Sequence, residues 1–123
     1  MNFSMKYKFT VYPEFAREFK RLYKKYPSLK KDLEAFREAY LVNPTSIGVD
    51  LGNGIRKVRM SIGSKGKGKS HGARVITLTL ILSEDETEIG LHYIYDKSEV
   101  SSITDKQIDD ILRWNGIDMK QDS

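Results

Sequence analysis

The residues with the types and spacing for chemistry lie between Arg56 and Arg74, in RKVRMSIGSKGKGKSHGAR, nineteen residues that carry seven cations and no acid. Lys57 and Arg59 stand two apart in IRKVRMSI. Its alternation reads as a strand, so both side chains leave one face side by side. Arg74 opens the next apolar stretch, and Lys97 ends the last one. Cations converging from different elements imply a bound anion, and the phosphodiester backbone of RNA is the polyanion expected here. Cleaving it needs a base to help the 2′-hydroxyl attack its neighbouring phosphate, a donor to the leaving 5′-oxygen, and cations on the charged phosphorane. Histidine usually moves such protons, yet the chain has only His71 and His92, neither spaced with a partner carboxylate. Lysine is then the candidate base. Packed cations disfavour one another's charging, so Lys57 beside Arg59 is expected to hold a usable neutral fraction.

GSKGKGKSHG is too rich in glycine for a regular element. It reads as a mobile arm whose amides and whose Lys65, Lys67 and Lys69 follow a phosphate backbone, with Lys57, Arg59 and Arg74 at its base and Arg56 also among the RNA contacts. Gly63 to Ser70 also satisfies the nucleotide-binding pattern G-x-x-x-x-G-K-[ST] letter for letter. That pattern works only when the loop leads into a helix, and here it leads into the strand-like HGARVITLTL. In HYIYDK, Tyr95 is the candidate to stack on an unpaired base, although Tyr93 and Tyr95 share strand parity with Ile89 and Leu91, which argues for core. Acidic residues gather in EDETE and the C-terminal helix, away from the cations, so no metal site and no cofactor is expected.

The elements that must position these groups follow from periodicity. KYKFTVY alternates, with Tyr7, Phe9 and Val11 on one side of an opening strand. Pro13 starts a helix with Phe15, Phe19, Leu22 and Tyr26 at helical spacing, stopped by Pro27. Ser28 is the expected N-cap of a second helix, striped by Leu29, Leu33, Phe36 and Tyr40, and the short turn between them predicts an antiparallel helix hairpin. Pro44 to Gly54 reads as loop. IRKVRMSI, ARVITLTLIL and EIGLHYIYD are then strands, the second β-branched on both faces and hence central. Thr104 and Gln107 form a capping box for a last helix of Ile108, Ile111, Leu112 and Trp114, ended by Gly116. The expected fold is α+β: one domain over 1–116, a helix hairpin on one face of a small curved antiparallel sheet, a C-terminal helix, and a frayed tail over 117–123.

The chain of 123 residues is long enough for one core and has no cysteine, so neither a disulfide nor a thiolate metal site exists. Its apolar runs are too short to span a bilayer and its start lacks a signal peptide, which predicts a soluble cytoplasmic protein without a membrane partner. Net charge is only +4, yet Met1 to Arg74 holds seventeen Lys and Arg against six acids, and Val75 to Ser123 four against eleven. Such asymmetry is the footprint of nucleic-acid binding.

These residues resemble the RelE/HigB-like toxins of bacterial type II toxin-antitoxin modules. The resemblance covers nearly the whole chain. It rests on the element order, the helix pair FAREFKRLYKKYPSLKKDL, GIRKVRMSI followed by SKGKGKSHGAR, and IYDKSEVSSIT. It implies a metal-independent endoribonuclease that cuts mRNA in the ribosomal decoding site, contacts rRNA there, inhibits translation, and is silenced by a cognate antitoxin of a DNA-binding helix-turn-helix type. It places Lys57, Arg59, Arg74 and Lys97 around the scissile phosphate: Lys57 as base or phosphate ligand, Arg59 and Arg74 as transition-state stabilisers, and Lys97 as donor to the leaving oxygen. The family often carries a tyrosine further towards the C-terminus, where this chain has none after Tyr95. A ParE-like gyrase poison on the same scaffold, and a basic RNA-binding module without catalysis, are the alternative readings.

Overall fold

The computed structural model describes residues 5–66 and 71–119. Strand β1 (Lys6–Val11) leads into helices α1 (Pro13–Lys25) and α2 (Leu29–Val42). Strands β2 (Val49–Gly52), β3 (Ile55–Met60), β4 (Ala73–Ser83) and β5 (Glu86–Asp96) follow, and helix α3 (Asp105–Trp114) closes the order. The five strands form one sheet in the order β1-β5-β4-β3-β2. The class is α+β as expected, but the sheet is mixed rather than antiparallel. β2 to β5 form an antiparallel meander, whereas β1 runs parallel to β5, pairing Lys6 with Glu86 through Val11 with Leu91. No tight turn joins those two strands, so nothing local forces them to run oppositely.

The helix hairpin forms from the residues that predict it. Phe15, Leu22, Leu29, Phe36 and Tyr40 are buried against Val58, Met60, Val75, Leu91 and Ile94 on one sheet face, with Phe19 and Leu33 partly buried beside them. Tyr40 reaches across to β4, its hydroxyl 2.7 Å from Thr77 Oγ1. Ser28 stands at the N-cap position of α2 but makes no cap bond. Its hydroxyl instead donates to Asp32 at 2.7 Å and accepts the Ser64 N–H at 2.8 Å, tying the helix to the loop after β3. Val11, expected inside with Tyr7 and Phe9, is 50% exposed.

Helix α3 packs on the opposite face, where Ile108 and Leu112 meet Ile55, Ile76 and Leu78. Its capping box is present, with Gln107 N–H donating to Thr104 Oγ1 at 3.1 Å and Thr104 N–H to Gln107 Oε1 at 2.7 Å. Trp114, expected in the stripe, is 62% exposed. Ile117, expected to fray, packs against the α3 cluster and donates its N–H to Leu112 at 2.8 Å. The loop expected over 44–54 contains β2, which turns into β3 at Asn53 and Gly54, both at positive φ (57° and 83°). Asn-Gly is the dipeptide that a tight hairpin turn favours.

Two irregularities decide which residues share a face. β5 carries one extra residue at His92, because Thr77 pairs with Leu91 while its neighbour Ile76 pairs with Tyr93. Such a bulge flips the alternation. Ile89 and Leu91 therefore face the helix hairpin, and Tyr93 packs with the α3 cluster on the other face, against the parity read from the sequence. Gly90 makes room beside the bulge, since a Cβ there would lie 2.8 Å from His92 Nε2 and 2.9 Å from Tyr12 Cε1.

Candidate phosphate-binding face

Helix α3 covers only part of its sheet face. In register, Ile55 lies opposite Leu78, Lys57 opposite Ile76 and Tyr93, and Arg59 opposite Arg74 and Tyr95. Within four residues of β3 the face thus passes from apolar under α3 to cationic beyond it. Lys57 is half-buried and Arg59 exposed, while Arg74 is 8% exposed and lies between its strand neighbours Arg59 and Tyr95.

Arg59 and Arg74 form a like-charge pair directly across two strands, an arrangement that costs stability. Arg74 registers it: burial and then the charge of Arg59 lower its pKa from the ordinary arginine value, against a smaller opposing effect of Tyr95. An anion between the two guanidinium groups would relieve the repulsion and restore lost solvation. Arg74 also donates through Nη1 to the Ala73 carbonyl at 3.1 Å. Tyr95 is 3% exposed, and burial raises its phenol pKa. Its ring sits 6.4 Å from that of Tyr93 and offers no open surface for a stacking base. On the outer edge of β3, a groove of about 610 Å³ between α2 and the strand reaches Lys57 and Arg59.

Lys97 lies next to this row at the end of β5. Its N–H donates to Gly72 at 3.0 Å, joining the end of β5 to the start of β4, and its ammonium is turned to the Ser101 carbonyl. Arg56 does not join the group. It shares the register row of Thr77 on the hairpin face, where its guanidinium donates to the carbonyls of Ile47, at 3.0 Å, and Thr45. Lys67 and Lys69 lie outside the described residues.

Lys65 is not part of a free arm. It ends a 3-10 turn, Gly63–Lys65, and its ammonium sits 2.8 Å from Asp96 Oδ1, 3.0 Å from Ser98 Oγ and 5.5 Å from the centre of the Tyr26 ring. Asp96 is fully buried. Burial alone would push its carboxyl up, but hydrogen bonds from Lys65, Tyr26 and Ser98 more than offset that and hold it well below the usual carboxylate range. Asp96 therefore joins the end of α1 at Tyr26 Oη (2.5 Å), the loop at Lys65 and the end of β5 at Ser98. Asp32 adds a second tie by accepting the Gly63 N–H at 3.1 Å. The sequence places Tyr26 in the α1 stripe but does not reveal its bond to Asp96, because nothing in YDKS marks an aspartate whose partners lie 31 and 70 residues away.

The two histidines serve different ends. His71 is exposed where the loop returns to the sheet. His92 is fully buried, stacked on Tyr12 with ring centres 4.0 Å apart, and its Nδ1 lies 3.0 Å from Asn115 Nδ2. Asn115 accepts the Glu14 N–H at 2.9 Å and donates to the His92 carbonyl at 3.1 Å, which fixes its amide orientation and makes Nδ1 the acceptor. Burial lowers the His92 pKa to about 4, with Glu88 opposing. This imidazole is a neutral joint between β5, α1 and α3 and has no path to a substrate on the cationic face.

Among the described residues no helix is long and apolar enough to cross a membrane. No protein-family model and no curated protein matches the chain.

Proposed function

We propose that the protein is a ribosome-dependent mRNA endonuclease, the toxin of a type II toxin-antitoxin module of the RelE/HigB-like kind, acting in the cytoplasm and held in check by a cognate antitoxin. The observation that carries this reading is the like-charged row Arg59–Arg74 beside Lys57 on the half-open sheet face. Two arginines in directly opposed register repel one another. A phosphate bound between them relieves that repulsion. The α+β class and the helix hairpin packed on one face of the sheet are compatible with the same assignment.

The mechanism follows from what these residues are. The scissile phosphate sits against Arg59 and Arg74, whose charge stabilises the phosphorane more than the ground-state diester. Lys57, one register row away, takes the proton of the attacking 2′-hydroxyl, and Lys97 leaves its Ser101 carbonyl to protonate the 5′-oxygen. The buried imidazole of His92 takes no part.

Inducing the protein in growing bacteria and mapping mRNA 5′ ends tests the proposal. New cuts in translated regions that disappear in Lys57→Ala and Arg59→Ala support it, with a loss on the order of 100-fold or more for Arg59→Ala. Growth arrest with intact mRNA and damaged DNA would replace it with the gyrase reading. Arg74→Ala is the poorer probe, because a buried residue also carries structure.

A further inference from the structure

β2 covers only part of the outer edge of β3. Its pairing ends with Val49 on Lys57, and at Gly48, whose φ is 71°, the chain turns away from the strand. The bond from Thr79 N–H to Gly54 O sets the phase of β3, because main-chain groups alternate in direction along a strand. Gly54, Arg56, Val58 and Met60 therefore address β4, and Lys57 and Arg59 address the outer edge. Two close approaches agree with that phase: a Cβ on Gly72 would lie 2.3 Å from the Met60 carbonyl oxygen, and one on Gly48 2.5 Å from that of Lys57. Among the described residues β2 takes up Lys57, while no main-chain group pairs with the N–H and C=O of Arg59 on that side. A free edge of this kind is a template for another strand.

We infer that an extended acidic segment of another protein adds to this edge at Arg59, antiparallel as β2 is, and seats an apolar side chain in the groove under α2. Three features select that occupant. A polypeptide offers a donor and an acceptor together, at the spacing that the Arg59 main chain requires. Behind the edge, the groove of about 610 Å³ is walled by Ala35 and Ala39 of α2 and by Ile47 and Met60, so the side chain opposite Met60 must be apolar. Side chains of an added strand alternate, so the one opposite Arg59 leaves on the α3 face, with Arg59 directly across and Lys57 on the diagonal. That position calls for a carboxylate. Asp32, the acid that borders the groove, lies on the hairpin side and is already engaged, by the Gly63 N–H at 3.2 and 3.1 Å and by the Ser28 hydroxyl at 2.7 Å. A second copy lacks the pattern, because its outer strand β1 brings Lys6 and Lys8, the wrong sign for Arg59. Nothing in this pairing depends on RNA cleavage.

Fluorescence anisotropy of a capped hexapeptide alternating valine and glutamate, titrated with the full chain from about 1 μM to 1 mM, tests the pairing. A dissociation constant on the order of 50 μM is expected. Two control peptides keep the charge: one gathers its valines and glutamates into separate blocks, and the other alternates but has methylated amides. Both should bind about tenfold more weakly or less, since one loses the alternation and the other the strand donors. Ala39→Trp, at an exposed position, fills the groove and should weaken the alternating peptide about tenfold with unchanged circular dichroism. Ala35→Trp, one turn away on the same wall, should do the same. No binding of the alternating peptide overturns the inference, as does equal binding of either control peptide or indifference to both tryptophans. A single-stranded RNA weakened by Ala39→Trp where the peptide is not would give the groove to nucleic acid and overturn it as well.

Discussion

The two faces of this sheet are built from alternate residues of the same strands, yet they differ in kind. On β3, Val58 and Met60 vanish under α1 and α2, and the intervening Lys57 and Arg59 stay at the surface of the other face. The charge of the hairpin face is internal and matched, with Asp96 buried among Lys65, Tyr26 and Ser98. The charge of the α3 face is Arg59 against Arg74. One face spends its polar groups on holding elements together, and the other sets two arginines in opposed register at its open end. The second arrangement makes physical sense as a receptor for something anionic.

The comparison breaks first at Asp96. Asp96→Ala leaves the Lys65 ammonium and the Tyr26 hydroxyl without their shared acceptor and should cost about 3 kcal/mol or more, read as a lowered urea midpoint at unchanged slope. A cost under about 1 kcal/mol would mean that the hairpin face does not depend on its buried carboxylate. Because the folded carboxyl is held below its ordinary range, its contribution is complete above that range and is lost as pH falls beneath it.

The next effect sits at the joint between the faces. His92 titrates near 4 in the fold, and near 6.5 in an unfolded chain. The unfolded state therefore binds the proton first. Stability is full above about pH 6.5 and falls by roughly 3 kcal/mol as pH drops towards 4. Unfolding midpoints at half-unit steps of pH should show that slope in the wild type and lose it in His92→Gln. A wild-type profile flat between pH 6.5 and 4.5 would contradict the buried, neutral imidazole. The window of Asp96 lies lower, so the two contributions separate along the pH axis.

Much of this was legible in the chain, for identifiable reasons. Phe15, Leu22, Leu29, Phe36 and Tyr40 repeat at helical spacing, and burial follows that spacing. Lys57 and Arg59 share a face because a strand repeats every two residues. What the pattern does not carry is any departure from period. The extra residue at His92 moves Tyr93 and Tyr95 to the cationic face, although their spacing from Leu91 says otherwise. β2 is four residues long and ends in glycine, too short to alternate visibly, so the segment reads as loop despite its Asn53-Gly54 turn. Nothing in the spacing of Lys65 marks it as the partner of a carboxylate at the end of β5 and a ring at the end of α1. Nor does alternation fix strand direction, which is why β1 beside β5 was not readable as parallel.

The smallest effect on stability is the sharpest test of what the open face is for. Arg59 is exposed and faces Arg74, so Arg59→Gln removes a repulsion and little packing. Stability should stay within about 0.5 kcal/mol of wild type or rise slightly. If Arg59 serves a phosphate, RNA affinity must fall at the same time, and the slope of log affinity against log salt must shrink by about one. Arg56→Gln provides the contrast from the same strand. Its guanidinium is engaged with the Ile47 and Thr45 carbonyls on the hairpin face, so it should lose stability and leave the salt slope unchanged. Were the two substitutions to lower the slope equally, the basic segment would act as a diffuse cloud of charge, and the division of the sheet into a structural and a binding face would fall.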